Sequence, residues 1–430
     1  MSMFANAQLP DGWKLTPIRT AFKTTEKPRG LSPANYESVP FIPMDAVPIA
    51  GWDVYPPEVR PGSEISSGTY CEDGDLLLAK ITPSFENGKQ AFAALDGAKF
   101  AYGTTEVIPL QAIPDQGVIE YLYSVLLHPG LRASLAGKME GSTGRQRLGK
   151  EVLLSTPIPM PTPDEQRKIA RVLATVQRAI EQQQAIIATT RELKRSLMHK
   201  LFTEGLRGET QKPTEIGLVP KSWEVKRIGE IATLKSGGTP SRSNESFWIG
   251  GTIPWVKTGE VDYCVINDTE EKITQEGLDG SSAKIFPAGT LLMAMYGQGI
   301  TRGKVGILGV DAATNQACAA FFPKEEVRTG FLYQLFSFKY DYIRNLGHGA
   351  NQKNLSADIL KTVQIAYPKD TDEQDEIVSS LSALDDKLAL AERKRSHFED
   401  LFKTLLHQLM TAQLRVNDLD LDTLGVPPLD

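Results

Sequence analysis

The sequence predicts a mixed α/β (α+β) protein in which two globular domains alternate with two long α-helices, built as an internal repeat. Three observations carry this. Residues 164–203 and 372–411 are forty-residue runs without Gly or Pro. Each places apolar side chains at alternating steps of four and three. The second run reproduces the first at a constant offset of 208, in polar as well as apolar residues.

In the first run the apolar seam is Ile169, Leu173, Val176, Ile180, Ile187, Leu197 and Leu201, with Gln183, Thr190 and Lys194 as its polar members. In the second it is Ile377, Leu381, Leu384, Leu388, Phe398, Phe402, Leu405 and Leu409, with Ala391 and Arg395 between them. A heptad seam marks a helix packed on another helix. At a 1.5 Å rise per residue each helix is ~60 Å long, too long to bury on one ordinary domain. Asp164-Glu165-Gln166 recurs as Asp372-Glu373-Gln374, His199 as His407, and Leu206-Arg207 as Leu414-Arg415. Chance heptads share a period but not these polar identities, so the chain is a repeat. The first run carries eight basic and four acidic residues, the second five and nine, a complement that suits mutual pairing. The expected arrangement is an antiparallel coiled coil between halves related by a near two-fold axis.

The expected boundaries are 1–163 for the first globular domain, 164–203 for the first helix, 204–371 for the second domain, 372–411 for the second helix, and 412–430 for a tail. Short aromatic and β-branched runs, punctuated by Gly and Pro, predict mostly strands in both domains. Residues 118–137 are the clearest helical patch of the first domain, with a stop expected at Pro129-Gly130. Trp13 and Ile18 match Trp223 and Ile228. Gly74, Leu76-Leu77, Ala79 and Gly88-Lys89 match Gly289, Leu291-Leu292, Ala294 and Gly303-Lys304, and Leu148 and Leu153 match Leu355 and Leu360. Gly217-Leu218-Val219-Pro220 is echoed by Gly425-Val426-Pro427-Pro428, which places the tail beside the N-terminus.

The chain has 430 residues, 41% hydrophobic and 23% charged, as expected of a globular protein of two to four domains. No stretch approaches 18 continuous apolar residues and the N-terminus lacks a signal pattern, so a cytoplasmic protein without membrane contact is expected. Cys71, Cys264 and Cys318 have no C-x-x-C spacing and read as buried small hydrophobes. The net charge of −6 resides largely in the second helix and tail, which leaves the globular domains near neutral and open to a nucleic-acid partner.

No enzyme motif is present. There is no G-x-x-x-x-G-K-[ST] loop, no H-E-x-x-H and no N-P-P-[FY] or D-P-P-Y of amino-methyltransferases; Gly297, Gly299 and Gly303 fail the dinucleotide spacing. His128, His199, His348, His397 and His407 form no ligand cluster, and no metal or cofactor is expected in this chain. What remains are polar, Gly-punctuated loops: 80–89, 100–107 and 140–150 in the first domain, and 234–244, 295–304, 313–320 and 347–354 in the second. Their Arg, Lys, Asn, Gln, Ser and Thr are the side chains that bond base edges and phosphates.

These residues resemble the DNA-specificity subunits of Type I restriction-modification systems. The resemblance rests on SGGTPSRSNESFWIGGTIPWVKTGEV (236–261), KIFPAGTLLMAMYGQGITRGKVGIL (284–308), TNQACAAFFP (314–323), GANQKNLSADILKTVQIAYP (349–368) and DEQDEIVSSLSALD (372–385), with YGTTEV (102–107) and GSTGRQRLGKEVLLSTPIPMPTPDEQRKIARVLATVQ (141–177) in a more divergent first half. It implies two target-recognition domains, each reading one half of a bipartite site in double-stranded DNA. The helices between them act as spacer and docking surface for two modification subunits and for restriction subunits. S-adenosylmethionine is expected on the modification subunit.

The candidate DNA contacts are Lys80, Thr82, Ser84, Asn87, Lys89, Thr143, Arg145, Gln146 and Arg147 in the first domain. In the second they are Thr239, Ser241, Arg242, Gln298, Thr301, Arg302, Lys304, His348, Asn351, Gln352 and Lys353. Arg145, Arg147, Arg242 and Arg302 suit guanine edges, Asn351 and Gln352 suit adenine, and the lysines suit phosphates. Asn351 and Asn354 equally suit a cap on the helix entered at Leu355. A reading from another class, a coiled-coil protein-binding scaffold without DNA affinity, is distinguished by the absence of salt-dependent duplex binding.

Overall fold

The structure is a computed structural model that describes residues 9–142, 144–297, 300–346, 355–416, 419–423 and 425–428. The chain divides into two compact units, residues 1–187 with 390–430, and residues 188–389. The division falls within both long helices, so each contributes one half to each unit. The reason is packing: each half-helix is buried on the globular part of its own unit.

In the first unit the strands are β1 (Lys14–Pro17), β2 (Phe22–Thr24), β3 (Ser38–Ile42), β4 (Glu58–Pro61), β5 (Thr69–Glu72), β6 (Leu76–Ala79), β7 (Gln90–Phe92), β8 (Phe100–Gly103), β9 (Val107–Ala112), β10 (Glu140–Ser142), β11 (Arg145–Arg147) and β12 (Pro157–Met160). The helices are α1 (Ile119–Leu127), α2 (Pro129–Ala136), α3 (Lys150–Ser155) and α4 (Pro163–Glu204), the last continuing into the second unit. Two four-stranded sheets form, ordered β2-β9-β6-β7 and β4-β3-β8-β5. Period-two alternation sets the layers. Leu76 and Leu78 of β6 point into a core with Trp13, Tyr121, Leu122, Ile169 and Leu173, whereas Leu77 points into a second core with Ile42, Cys71 and Ala101. Strand β6 is therefore buried on both faces, as its unbroken LLLA run requires. Pro129 does not end the helical patch; it starts α2, where a Pro in the first turn is well tolerated.

The second unit adds β13 (Gln211–Thr214), β14 (Gly217–Pro220), β15 (Glu224–Arg227), β16 (Ala232–Ser236), β17 (Ile253–Val256), β18 (Val265–Ile266), β19 (Glu271–Ile273), β20 (Ile285–Phe286), β21 (Leu291–Ala294), β22 (Val305–Leu308), β23 (Ala312–Thr314), β24 (Cys318–Pro323) and β25 (Gln364–Tyr367). Its helices are α5 (Ile228–Ile231), α6 (Gln275–Asp279), α7 (Thr329–Phe338), α8 (Tyr340–Asn345), α9 (Ala357–Thr362) and α10 (Thr371–Met410), the last returning to the first unit. The sheets run β16-β24-β21-β22-β18 and β19-β17-β23-β20. Strand for strand this is the order of the first unit, extended by β18, and β17 lies parallel to β23 as β3 does to β8. Helix α9 begins at Ala357 with Ser356 as its cap, which accepts from Ile359 N–H at 3.2 Å. The cap is thus Ser356; Asn351 and Asn354 lie outside the described residues.

Within each unit the seam side chains are buried or half-buried. Ile169, Leu173, Ile180 and the half-buried Val176 share the first core with Phe402, Leu409 and the half-buried Phe398 and Leu405. Leu201 and the half-buried Leu197 share the second unit's core with Ile377 and Leu381. Ile187 is buried, and Leu384 and Leu388 are half-buried. Ala170, Ala174, Met198, Phe202, Leu406 and Met410, which lie off the seam, are also buried. Each half-helix meets both the other long helix and its own sheet, so its apolar stripe is wider than a two-position seam. In the second unit Lys194 pairs with Asp385 and Leu206 N–H donates to Glu373, contacts that make the two half-helices antiparallel there. In the first unit the tail lies against Trp13: Val416 and Leu421 join its core, and Arg171 donates to Asp422 (3.1 Å) and to the carbonyls of Val426 (2.6 Å) and Pro427 (3.0 Å). Cys71 and Cys318 are buried, and burial pushes both thiols up to about 12; Cys264 is exposed, contrary to the expectation for all three.

Candidate nucleic-acid interface

In the first unit, β10 and β11 form an antiparallel ribbon with Glu140 opposite Arg147, Gly141 opposite Gln146 and Ser142 opposite Arg145. Gly144 closes the turn at a φ of 82°, in the left-handed region that favours glycine. The ribbon is stitched to the loop after β6. Thr82 N–H donates to Gln146 O at 3.0 Å, Leu148 N–H to Lys80 O at 2.7 Å, and Lys80 N–H to Glu106 O at 2.9 Å. Loops 80–89, 100–107 and 140–150, distant in sequence, therefore form one surface.

Charge gathers there. Lys80, Lys138, Arg147 and Lys150 line a concavity of about 350 Å³ together with Glu140. Arg147 makes a two-pronged contact to Glu106, at 2.9 and 2.6 Å. That guanidinium holds the Glu106 carboxyl below its usual range. Burial pushes the Lys80 ammonium down, Glu106 opposes this, and Lys150 and Arg147 add to it. Arg145 is exposed and has no partner among the described residues, so of the two ribbon arginines it is the one with an open fork. Thr82 Oγ1 donates to Glu86 at 2.9 Å, while Ser84 and Gln146 are half-buried and Asn87 is exposed. Lys89 points inward, donating to Met44 O at 2.9 Å, so it secures the loop rather than reaching outward for a phosphate. Arg132, which the sequence offered no reason to select, is buried and donates to the carbonyls of Phe85 and Leu126 and to Gln90 Oε1, anchoring the same loop.

In the second unit the segment after β16 is locked by contact. A Cβ on Gly237 would stand 2.0 Å from Thr314 O, and one on Gly238 2.3 Å from Ser282 Oγ. Thr239 Oγ1 donates to Gln316, and Trp255 Nε1–H donates to Gly238 O at 2.9 Å. Arg242 lies 3.8 Å from the ring centre of Trp248 and donates to Glu271 at 2.6 Å. Ser241 is exposed and meets Ser243 at 2.9 Å. Lys304 pairs with Asp262 at 2.6 Å, Thr301 is half-buried, and Arg302 is only 8% exposed. Arg302 thus does not present its fork to solvent. Thr143, Gln298, His348, Asn351, Gln352 and Lys353 lie outside the described residues.

One node can be compared directly between the units. Met295 N–H donates to Ala317 O at 2.8 Å and Leu355 N–H to Met295 O at 3.2 Å, the same pattern as Lys80, Glu106 and Leu148. The backbone repeats while the side chains change from charged to apolar. Lys138, Lys150 and Glu106 were not among the residues singled out from sequence; Lys138 and Lys150 flank the ribbon, which is the one local signal that pointed to them.

The sequence model of the Type I restriction modification DNA specificity domain matches residues 61–189 and 220–399. The MjaIX specificity subunit of Methanocaldococcus jannaschii is 34% identical over 215 residues, covering 48% of this chain and 47% of that protein. The EcoR124I/EcoR124II specificity subunit of Escherichia coli is 25% identical over 232 residues, covering 53% and 55%. The matches thus span about half the length of these relatives. The crystal structure of a Type I restriction-modification S subunit from M. genitalium superposes with a TM-score of 0.63 at 16% identity, over 95% of this chain and 98% of that one, a likeness of fold. Because the matched model covers most of the chain, this protein belongs to the Type I restriction-modification DNA specificity family.

Proposed function

We propose that this chain is the DNA-recognition subunit of a Type I restriction-modification complex, with each unit reading one half of a bipartite duplex site. The observation that carries this reading is one scaffold built twice with unlike loops: the same strand order and hydrogen-bond node, but Lys80 and Glu106 in one unit and Met295 and Ala317 in the other. Unlike loops on like scaffolds suit two unlike half-sites. The long helices set the spacer between half-sites and dock two modification subunits and the restriction subunits. Methyl transfer from S-adenosylmethionine belongs to the modification subunit, and this chain supplies targeting. Exchanging residues 1–163 for those of another family member should change one half of the methylated sequence only, read by mapping methylated adenines; a change in both halves would refute the two-module reading. Deleting one heptad from both helices should alter the spacer or abolish activity while half-site identity stays the same.

A further inference from the structure

We propose that the concavity under the β10–β11 ribbon is a phosphodiester subsite, and that Glu106 occupies Arg147 in the DNA-free protein and yields it to a phosphate on binding. The inference rests on the DNA-recognition reading above and specifies how the first unit engages the backbone. Four cations, Lys80, Lys138, Arg147 and Lys150, line one recess with one acid, Glu140, a surplus of positive charge that suits a phosphate monoanion. Lys80 is held there at a cost, half-buried with its ammonium pushed down by that burial, while Arg147 is exposed and bound by both carboxylate oxygens of Glu106.

Glu106 is well placed for exchange. Its side chain is 21% exposed while that of Arg147 is 49% exposed, so a phosphate oxygen can reach the guanidinium from solvent. The fork that fits a carboxylate with two parallel bonds fits a phosphate equally well. Backbone bonds from Thr82, Lys80 and Leu148 keep the ribbon in place whichever anion Arg147 holds. The second unit has no such acid at its matching node, where Ala317 stands for Glu106 and Met295 for Lys80. An acid paired with Arg147 at the recess lowers affinity for any duplex, so Glu106 disfavours non-specific binding through the first unit.

The experiment is duplex binding by the full chain with its modification subunits, using a mixed-sequence duplex titrated across salt concentrations. Glu106→Gln should tighten binding roughly three- to fivefold at low salt. The gain should be much smaller in an Arg147→Gln background; an equal gain in both backgrounds is a generic charge effect and would overturn the exchange. Lys150→Gln, which leaves the ion pair intact, should reduce the slope of log affinity against log salt by about 0.9. An unchanged slope would overturn the subsite even if Glu106→Gln failed to fold. If the wild-type complex bound no duplex at all, the DNA-recognition reading would fall and the subsite with it; binding by the wild type with unaltered variants would sink the subsite alone.

Discussion

The indole N–H of Trp223 donates to the buried carboxylate of Glu373 at 3.1 Å, and Trp13 does the same with Glu165 at 3.0 Å. The next residue repeats too. Gln374 accepts from Arg328 N–H at 2.8 Å and donates to the carbonyls of Glu326 and Pro368; Gln166 accepts from Val118 N–H at 2.9 Å and donates to Pro161 O. The Glu-Gln step at the start of each long helix is an internal fastening that ties the helix to the loop entering α1 or α7. In the first unit Arg415 balances Glu165, at 2.9 and 3.3 Å.

Gln374→Ala should destabilise the second unit by roughly 2–4 kcal/mol, because it strands a backbone N–H and two carbonyls in the interior. Gln166→Ala should do the same to the first unit. Urea unfolding followed by tryptophan fluorescence and proteolysis checks this; loss of less than ~0.5 kcal/mol would show that water replaces the side chain.

Gly237→Ala should displace the segment carrying Thr239, Ser241 and Arg242, since the added carbon would sit 2.0 Å from Thr314 O. The expected outcome is loss of recognition at one half-site with the other retained. Gly259→Ala, where the new carbon meets nothing within 4 Å, is the matched control and should be silent. Methylation of duplexes altered in one half-site at a time separates the two.

Lys194 occupies a polar seam position and bonds Asp385, whose other oxygen accepts from Gln334 of α7 at 3.0 Å. Lys194→Met should cost about 1–2 kcal/mol, since the carboxylate keeps only one partner in a half-buried place. Pairing it with Asp385→Asn should recover most of that loss. Thermal unfolding of the single and double variants measures the coupling.

His128 caps α2 by accepting from Gly130 N–H at 3.2 Å, with the His407 ring centre 5.8 Å away. Burial, and secondarily His407, pushes His128 below 6.5. The unfolded chain therefore takes up a proton that the folded chain resists. Stability is fully present above the unfolded value and falls as the pH drops from 6.5 towards the lowered folded one. His128→Asn keeps a capping side chain and should flatten that slope in a pH series of unfolding midpoints.

Much of the fold was legible in sequence because its signals are local and periodic. The long helices show in the absence of Gly and Pro, and β6 and β21 show as short unbroken apolar runs. Trp13 and Trp223 marked equivalent places before any contact was known. The candidate site was legible only as a set of loops. Lys89, Arg302 and Lys304 have the same composition as true surface cations, yet Lys89 is spent on Met44 O, Arg302 is buried and Lys304 is paired with Asp262. Nothing local distinguishes the two lysines, since the partner of each comes from elsewhere in the chain.

By itself the sequence determined the repeat, the two helices, the family and the loops that vary between the units, since spacing and identity are properties of the chain. The tertiary structure decided the rest. It turned a two-position seam into a wider stripe, because each half-helix is covered by a sheet as well as by a helix. It made Glu165, Gln166, Glu373 and Gln374 interior fastenings, and it brought Glu106 onto Arg147 across 41 residues. Burial and ion pairing depend on which segments meet, and that is settled only when the chain closes on itself.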